Sequence, residues 1–347
     1  MKKFNLTVAI PTYNREEKIK RQLHTLISKN IHFRAKIIVV DNHSNFDIVD
    51  SLQNEFGEIL RQYIEIVQQP YNLGLGMAIT IPFLLCKTEW LWILGDDDDV
   101  LGDIDILLDD LAKYSGYGML KYNIAGVSIH GDRDIREIEE FLNYYGTRKM
   151  PTGDLVFISN SIFNVRVLGK YLGLAFEWSG TLIGHLIPVI YGICEREVKC
   201  RMINYDLVRY NYPSKDQEHD TVWVTLGISL IGDLQFPVNN ILNKKIYQLV
   251  QKDVSHLSII SSLMKIKQRE RRYYIYMRIY NSCFNLGVYN KSMKILFLFS
   301  HFSRINVSYF LLGFLDSVFL FIYAEMPFLV RAVRRFLPNN YRSLKFW

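Results

Sequence analysis

Four consecutive carboxylates, Asp96 to Asp99, follow directly on the apolar run Trp90-Leu91-Trp92-Ile93-Leu94 and Gly95. The run reads as a buried strand. Acids at its end are not expected in the core, because an unpaired buried charge costs several kcal/mol. Crowded like charges also raise one another's pKa, so a cation is expected among them. If the chain stays extended, Asp96 and Asp98 point to the same side. That pair is an all-oxygen clamp suited to Mg²⁺ or Mn²⁺. The alternative is a solvated acidic turn that caps the helix predicted by Ile104, Leu107, Leu108 and Leu111.

The elements that must position these acids are legible from the N-terminus onward. Leu6 to Ile10 is a short β-branched strand ended by Pro11-Thr12-Tyr13-Asn14. Asn14 with Glu17 reads as an N-cap and capping-box pair. Ile19, Leu23, Leu26 and Ile27 then recur at helical spacing, predicting a helix over residues 15 to 28. Ala35 to Val40 is a second buried strand, ending at Asp41-Asn42-His43-Ser44. A helix near Phe46 to Phe56, a strand near Tyr63 to Gln68, the loop Asn72-Leu73-Gly74-Leu75-Gly76 and a helix to about Leu85 follow. The alternation implies an α/β fold, Rossmann-like, with a mostly parallel sheet and helices on both faces. Ligands in such sheets sit beyond the carboxyl ends of the strands. Thr12, Asp41, Asn72 and Asp96 all fall at those ends. Singly, each has a plainer reading: Asn14 as a cap, Asp41 as an Asx-turn residue, and the Asn72 loop as a glycine cluster that lacks the full dinucleotide or P-loop pattern. Together they converge on one crevice.

The first hundred or so residues resemble the family 2 glycosyltransferases of the GT-A fold. The matching pieces are Pro11-Thr12-Tyr13-Asn14-Arg15, Val39-Val40-Asp41-Asn42-x-Ser44, Asn72-Leu73-Gly74-x-x-x-Ala78 and Asp96-Asp97-Asp98-Asp99-x-Leu101. Beyond residue 125 the resemblance is loose. It implies a site for a nucleotide-diphosphate-sugar donor, with a UDP-sugar favoured. Pro11, Thr12, Tyr13, Asn14 and Asp41 would hold the nucleoside, and Asn72 and Gly74 would approach the nucleotide. Asp96, Asp97 and Asp98 match the family's DxD motif, whose first aspartate usually bonds ribose or sugar and whose last bonds Mn²⁺ or Mg²⁺. Gly95 departs from many members, and no consequence is expected from it. An inverting enzyme of this kind needs one base to deprotonate the acceptor hydroxyl. Candidates are Asp154, Glu177 and His185. Glu177 lies among aromatic and small residues, where partial burial would raise its pKa toward a useful range, and Trp178 beside it is a platform for a sugar face.

The chain has 347 residues, 49% hydrophobic and 22% charged, which excludes wholesale disorder. Four cysteines form neither a CxxC pair nor a zinc spacing and read as reduced, mostly buried thiols. The apolar run after Met1-Lys2-Lys3 is too short for a secretory leader. From Lys265 onward there are 14 Lys/Arg against three acids, a net of +11, whereas the preceding residues carry 27 bases and 32 acids, a net of −5. Residues 211 to 220 form a polar, turn-rich stretch, read as a linker or as a lid carrying His219. A catalytic domain is expected over 1–225 and a helical, basic and aromatic region over 226–347. Lys265 to Tyr274 is densely basic. The apolar runs Ile295 to Phe299 and Tyr309 to Ala324 fall short of a clean span. Helices lying in an anionic membrane interface are favoured over a solvent-shielded bundle or a transmembrane hairpin. Nucleic-acid binding is disfavoured by the acidic body. The expectation is a metal-dependent inverting glycosyltransferase, peripheral on the cytoplasmic face of the cell membrane, that extends a lipid-linked or growing polysaccharide. The rivals are a nucleotidyltransferase or metal phosphohydrolase using the same acids, and a non-catalytic membrane adaptor.

Overall fold

Strand β1 (Leu6–Thr12) is the axis of the sheet, with β2 (Lys36–Asp41) on one side and β4 (Trp90–Ile93) on the other, both parallel to it. Beyond β2 lies β3 (Ile64–Gln68), also parallel. In this computed structural model the described residues are 4–148, 151–211, 227, 231 and 234–250. All of them lie in the unit Met1–Val288.

The parallel half of the sheet follows the expected alternation. Helix α1 (Glu16–Ser28) joins β1 to β2, α2 (Ile48–Tyr63) joins β2 to β3, and α3 (Leu75–Leu85) joins β3 to β4. The end of α2 expected near Phe56 coincides with a break at Gly57 (φ 51°, ψ −122°), after which the chain winds on to Tyr63. After β4 the sheet becomes mixed. The order is β3-β2-β1-β4-β8-β6-β9-β5, where β5 is Asp99–Val100, β6 Met119–Ile124, β8 Ser161–Asn164 and β9 Cys200–Arg209. Strand β8 runs antiparallel between β4 and β6, and a short β7 (Arg133–Ile135) pairs with β9.

Alternate strand residues feed two cores, one on each face. Leu6, Val8, Ile10, Trp90 and Trp92 pack with Ile19, Leu23 and Leu26 of α1, with Leu52 of α2, and with Leu107 and Leu111 of α4 (Ile104–Lys113). On the opposite face Ala9, Leu91 and Ile93 pack with Phe141 of α5 (Ile138–Gly146) and Ile190 of α8 (Ile187–Cys194). Ile231, Leu234, Phe236 and a final helix α9 (Asn240–Val250) join that second core. The packed unit therefore continues past residue 225. Between α5 and β8 lies α6 (Pro151–Val156), and between β8 and α8 lies α7 (Leu172–Glu177).

The region expected to divide the chain is partly regular: 205 to 209 complete β9, and residues 212 to 220, His219 included, lie outside the described residues. So do 265 to 347, on which the membrane reading rests. Among the described residues no helix is long and apolar enough to cross a membrane. Cys86, Cys194 and Cys200 are free thiols.

Candidate active site

The carboxyl ends of β1, β2 and β4 meet at one edge of the sheet. Thr12 and Asp41 are in-register neighbours, and Leu94 N–H donates to the Ala9 carbonyl at 2.9 Å. Asp41 is buried, and its carboxylate accepts from the Ser44 backbone N–H (3.1 Å) and hydroxyl (2.5 Å). Asn14 does not cap α1. Its backbone is left-handed (φ 54°), its N–H donates to Ser44 Oγ at 2.9 Å, and its Oδ1 accepts from Asn45 N–H at 2.7 Å. The cap position falls to Arg15, which makes no side-chain cap bond, and the Glu17 side chain is 90% exposed. The side chain that sequence reading spent on a helix cap is needed to tie the loop after β1 to the loop after β2. Pro11 is half-buried beside Val40, and Tyr13 is 43% exposed at the rim.

The Asn72 loop is fastened to the same edge by a residue that sequence reading did not assign. Buried Asn42 donates through Nδ2 to Asn72 Oδ1 at 3.0 Å and accepts the Leu73 N–H at 3.0 Å. Asn72 Oδ1 also takes the Gly74 N–H at 2.8 Å. Gly74 has φ 81°, a conformation that L side chains rarely adopt.

The acids after β4 are not an extended clamp. Asp96 and Asp97 lie in a turn, and Asp96 and Asp98 are 2% and 4% exposed. The expectation that these acids stay out of the core fails because each buried carboxylate finds donors. Asp96 Oδ2 accepts from Thr12 Oγ1 at 2.7 Å, and its Oδ1 from Arg15 Nη1 at 3.0 Å. Arg15 also reaches Asp97 Oδ2 at 3.3 Å, with Lys18 Nζ at 3.1 Å from the same oxygen. Arg21 donates to the Asp97 carbonyl. The cations expected among the acids are thus supplied by α1, at least for Asp96 and Asp97. Asp98 is different. Its Oδ2 accepts from Ser159 Oγ at 2.6 Å, while Oδ1 is buried with no hydrogen-bond partner. Burial pushes both carboxyls up, Asp98 to about 7. Arg15 and Thr12 hold Asp96 back, Ser159 holds Asp98 back, and Asp97 raises both.

Three further residues shape this turn. Ser159 accepts the Gly95 N–H on its hydroxyl at 2.9 Å and the Trp92 indole N–H on its carbonyl at 2.7 Å. Asn211 Nδ2 donates to the Asp97 carbonyl (2.7 Å) and to Asp99 Oδ1 (2.9 Å). Gly95 is not a neutral departure from the pattern. A Cβ there would lie 2.6 Å from Asp98 Oδ2 and 3.3 Å from Ser159 Oγ, because the Asp98 carboxylate folds back over it.

The three candidate bases have different environments. Asp154 in α6 is buried in a charge cluster, 3.4 Å from His130 Nε2 and 3.7 Å from Arg148 Nε. Burial raises its carboxyl, but His130, Lys121 and Arg148 outweigh burial and hold it at about 2. A carboxylate so committed is a poor proton acceptor. His185 is fully buried with its ring edge-on to Phe163, and burial pushes it down to about 3. Neither has access to an acceptor sugar. Glu177 ends α7 and is exposed, without the partial burial expected of it. Trp178 beside it is half-buried against the second core. The turn just after them packs on the start of α3: a Cβ on Gly76 would lie 2.0 Å from the Ser179 carbonyl oxygen, so only glycine permits that approach. This contact brings the Glu177 segment to the helix that follows the Asn72 loop.

A site of strand-end acids, an asparagine-held loop and a buried aspartate with a spare oxygen suits a phosphate-bearing ligand and its counter-cation. Residues 7–166 match the family described as Glycosyl transferase family 2. No curated protein sequence matches the chain. Among solved structures, TarS residues 1–349 from S. aureus in complex with UDP-GlcNAc superposes with a TM-score of 0.51 at 12% identity, over 81% of this chain and 88% of that one. Another structure of TarS 1–349 gives 0.50 at 14% identity, over 80% and 81%. At such identities the likeness is one of fold. With the family match over residues 7–166 and the GT-A arrangement of sheet and strand-end motifs, the chain belongs to the family 2 glycosyltransferases.

Proposed function

We propose that the chain transfers a sugar from a nucleotide-diphosphate-sugar, a UDP-sugar in the favoured case, to a hydroxyl of a lipid-linked or growing polysaccharide, with inversion and with a divalent cation. The observation that carries this reading is Asp98: a carboxylate 4% exposed, at the carboxyl end of a central strand, with one oxygen unpartnered. Burying it without a counter-charge is costly, and a cation arriving with the donor supplies that charge. The donor set fits Mg²⁺ or Mn²⁺, which are commonly held by one or two carboxylates and substrate phosphates rather than by an all-protein cage. Among the described residues there is no cage of three His, Cys, Asp or Glu. Asp98 would hold the ion. Asp96, its oxygens taken by Thr12 and Arg15, is assigned to ribose or sugar. A bound divalent ion supplies neutralisation of the charge that grows on the leaving diphosphate.

The chain's own residues do the rest. Thr12, Tyr13 and Asp41 line the nucleoside, and the Asn72–Gly74 loop closes on it. Arg15 and Lys18 add positive charge beside the acids. Of the three candidate bases, Glu177 is the one on the surface. In this reading its carboxylate takes the acceptor hydroxyl proton as that oxygen attacks the anomeric carbon and the nucleoside diphosphate departs from the opposite side. TarS with UDP-GlcNAc, sharing the fold, supports a uridine donor. The basic, aromatic residues 265–347 support an acceptor carried at the cytoplasmic face of an anionic membrane.

Calorimetry with nucleoside diphosphates and nucleotide-sugars, with and without Mn²⁺, tests the donor site. One nucleotide should bind in a metal-dependent manner and be lost in Asp98→Ala. Absence of binding to every nucleotide would sink the proposal, and release of pyrophosphate in turnover would replace it with nucleotidyl transfer. Flotation with anionic vesicles, with and without residues 265–347, tests the membrane reading.

A further inference from the structure

Asp98 is held in place by a buried chain of contacts that begins at a lysine the proposed reaction does not use. Lys121 lies in the middle of β6 with no exposed surface. Its ammonium donates to the Asp154 carbonyl at 2.6 Å, to the Phe157 carbonyl at 3.1 Å and to Ser161 Oγ at 2.9 Å. An ammonium has three protons to place, and here three acceptors take them. All three come from one segment, residues 154 to 161, and they bracket Ser159. Asn160 adds a fourth tie, from Nδ2 to the Tyr122 carbonyl at 2.8 Å.

Ser159, so held, turns its polar atoms toward the end of β4. Its carbonyl takes the Trp92 indole N–H, and its hydroxyl takes the Gly95 N–H and donates to Asp98 Oδ2. A serine hydroxyl has one proton. Given to Asp98, that proton fixes which carboxylate oxygen is turned inward and leaves Oδ1 as the one to meet a ligand. Gly95 completes the arrangement by leaving room for the folded-back carboxylate.

We infer that Ser159 is the positioning residue of Asp98, and that Lys121 sets Ser159 through the 154–161 segment. The inference rests on the reading of Asp98 as the residue that meets the cation. Partners behind a metal ligand typically govern affinity by about 10–100-fold, and that range is expected here.

The test uses the full chain as wild type, Asp98→Ala, Ser159→Ala, Ser161→Ala and Lys121→Met. Two quantities are measured in each: Mn²⁺ affinity by calorimetry, with metal-free nucleotide affinity alongside, and the exchange rate of the Gly95 amide without metal. Ser159→Ala should weaken Mn²⁺ about 10–100-fold, leave metal-free nucleotide binding unchanged and accelerate Gly95 exchange. Ser161→Ala, which removes one of the three acceptors of Lys121, should shift both readouts in the same direction by less, and stands in for Lys121→Met if that variant does not fold. Wild-type Mn²⁺ affinity in Ser159→Ala, with that affinity lost in Asp98→Ala, would overturn the inference. Should Asp98→Ala itself bind Mn²⁺ normally, the cation reading fails separately. Gly95 exchange then decides the positioning link: acceleration in Ser159→Ala upholds it, and an unchanged rate overturns it.

Discussion

Two aspartates of this chain, Asp98 and Asp154, are almost equally hidden, at 4% and 5% exposure, and burial drives them in opposite net directions. Asp98 stands at about 7 and Asp154 at about 2. Desolvation penalises both ionised forms. The difference lies in what faces them. Asp154 has Lys121, His130 and Arg148 around it, so its charge is matched within the fold. Asp98 has one hydroxyl and the neighbouring acids Asp96 and Asp97, so its charge is not matched. A carboxylate whose counter-charge is built in serves the structure. One whose counter-charge must come from outside is suited to binding a cation.

Breaking the matched cluster should have the largest effect. Asp154→Asn leaves the buried cations of that cluster without their carboxylate and is expected to cost about 3–5 kcal/mol, read from the urea midpoint. Wild-type stability in this variant would mean that the cluster is not structural. Asp98→Asn should do the reverse, sparing or steadying the metal-free fold while metal-dependent nucleotide binding falls at least about 10–100-fold.

The pH dependence sharpens the contrast, because the two signs are opposite. A carboxyl raised from 3.8 to about 7 binds its proton more tightly folded than unfolded. The metal-free protein therefore loses stability as pH rises from about 4 through about 7, by up to about 4 kcal/mol from Asp98. Asp154, lowered to about 2, contributes about 2 kcal/mol that is present above pH 4 and lost as pH falls toward 2. Subtracting the Asp98→Asn stability curve from the wild-type curve should isolate the first slope, and Mn²⁺ with nucleotide should flatten it. A difference curve level from pH 4 to 7 would contradict the raised carboxyl.

The smallest change is Gly95→Ala. Its Cβ meets the movable end of the Asp98 side chain, so the stability cost should sit at the low end of the roughly 1–3 kcal/mol typical of overpacking. Mn²⁺ affinity should fall several-fold as the carboxylate is pushed off Ser159. Unchanged affinity would show that Asp98 binds its cation in some other rotamer.

Much of the parallel half was legible from the chain alone. Periodicity placed α1, α3 and α4 and the strands around them because burial of one helical face or one strand run is a local pattern of side-chain types. The same pattern put Thr12, Asp41, Asn72 and Asp96 at the sheet edge, where the chain must leave the core and polar groups are tolerated. The antiparallel β8 and the long β9 carry no comparable local mark: their pairing depends on strands far away in sequence.

The sequence by itself therefore determined the alternating α/β frame, the edge that carries the site and the family. Only the tertiary structure decided which polar group each acid meets. Arg15 reaches Asp96 across 81 residues, Ser159 reaches Asp98 across 61, and Asn211 reaches Asp99 across 112. It also withdrew Asp154 and His185 from the candidate bases by burying them, and gave Gly95 a reason to be glycine. The physical reason is that a side chain's type states what partner it needs, while the supply of that partner depends on distant strands brought within about 3 Å by packing.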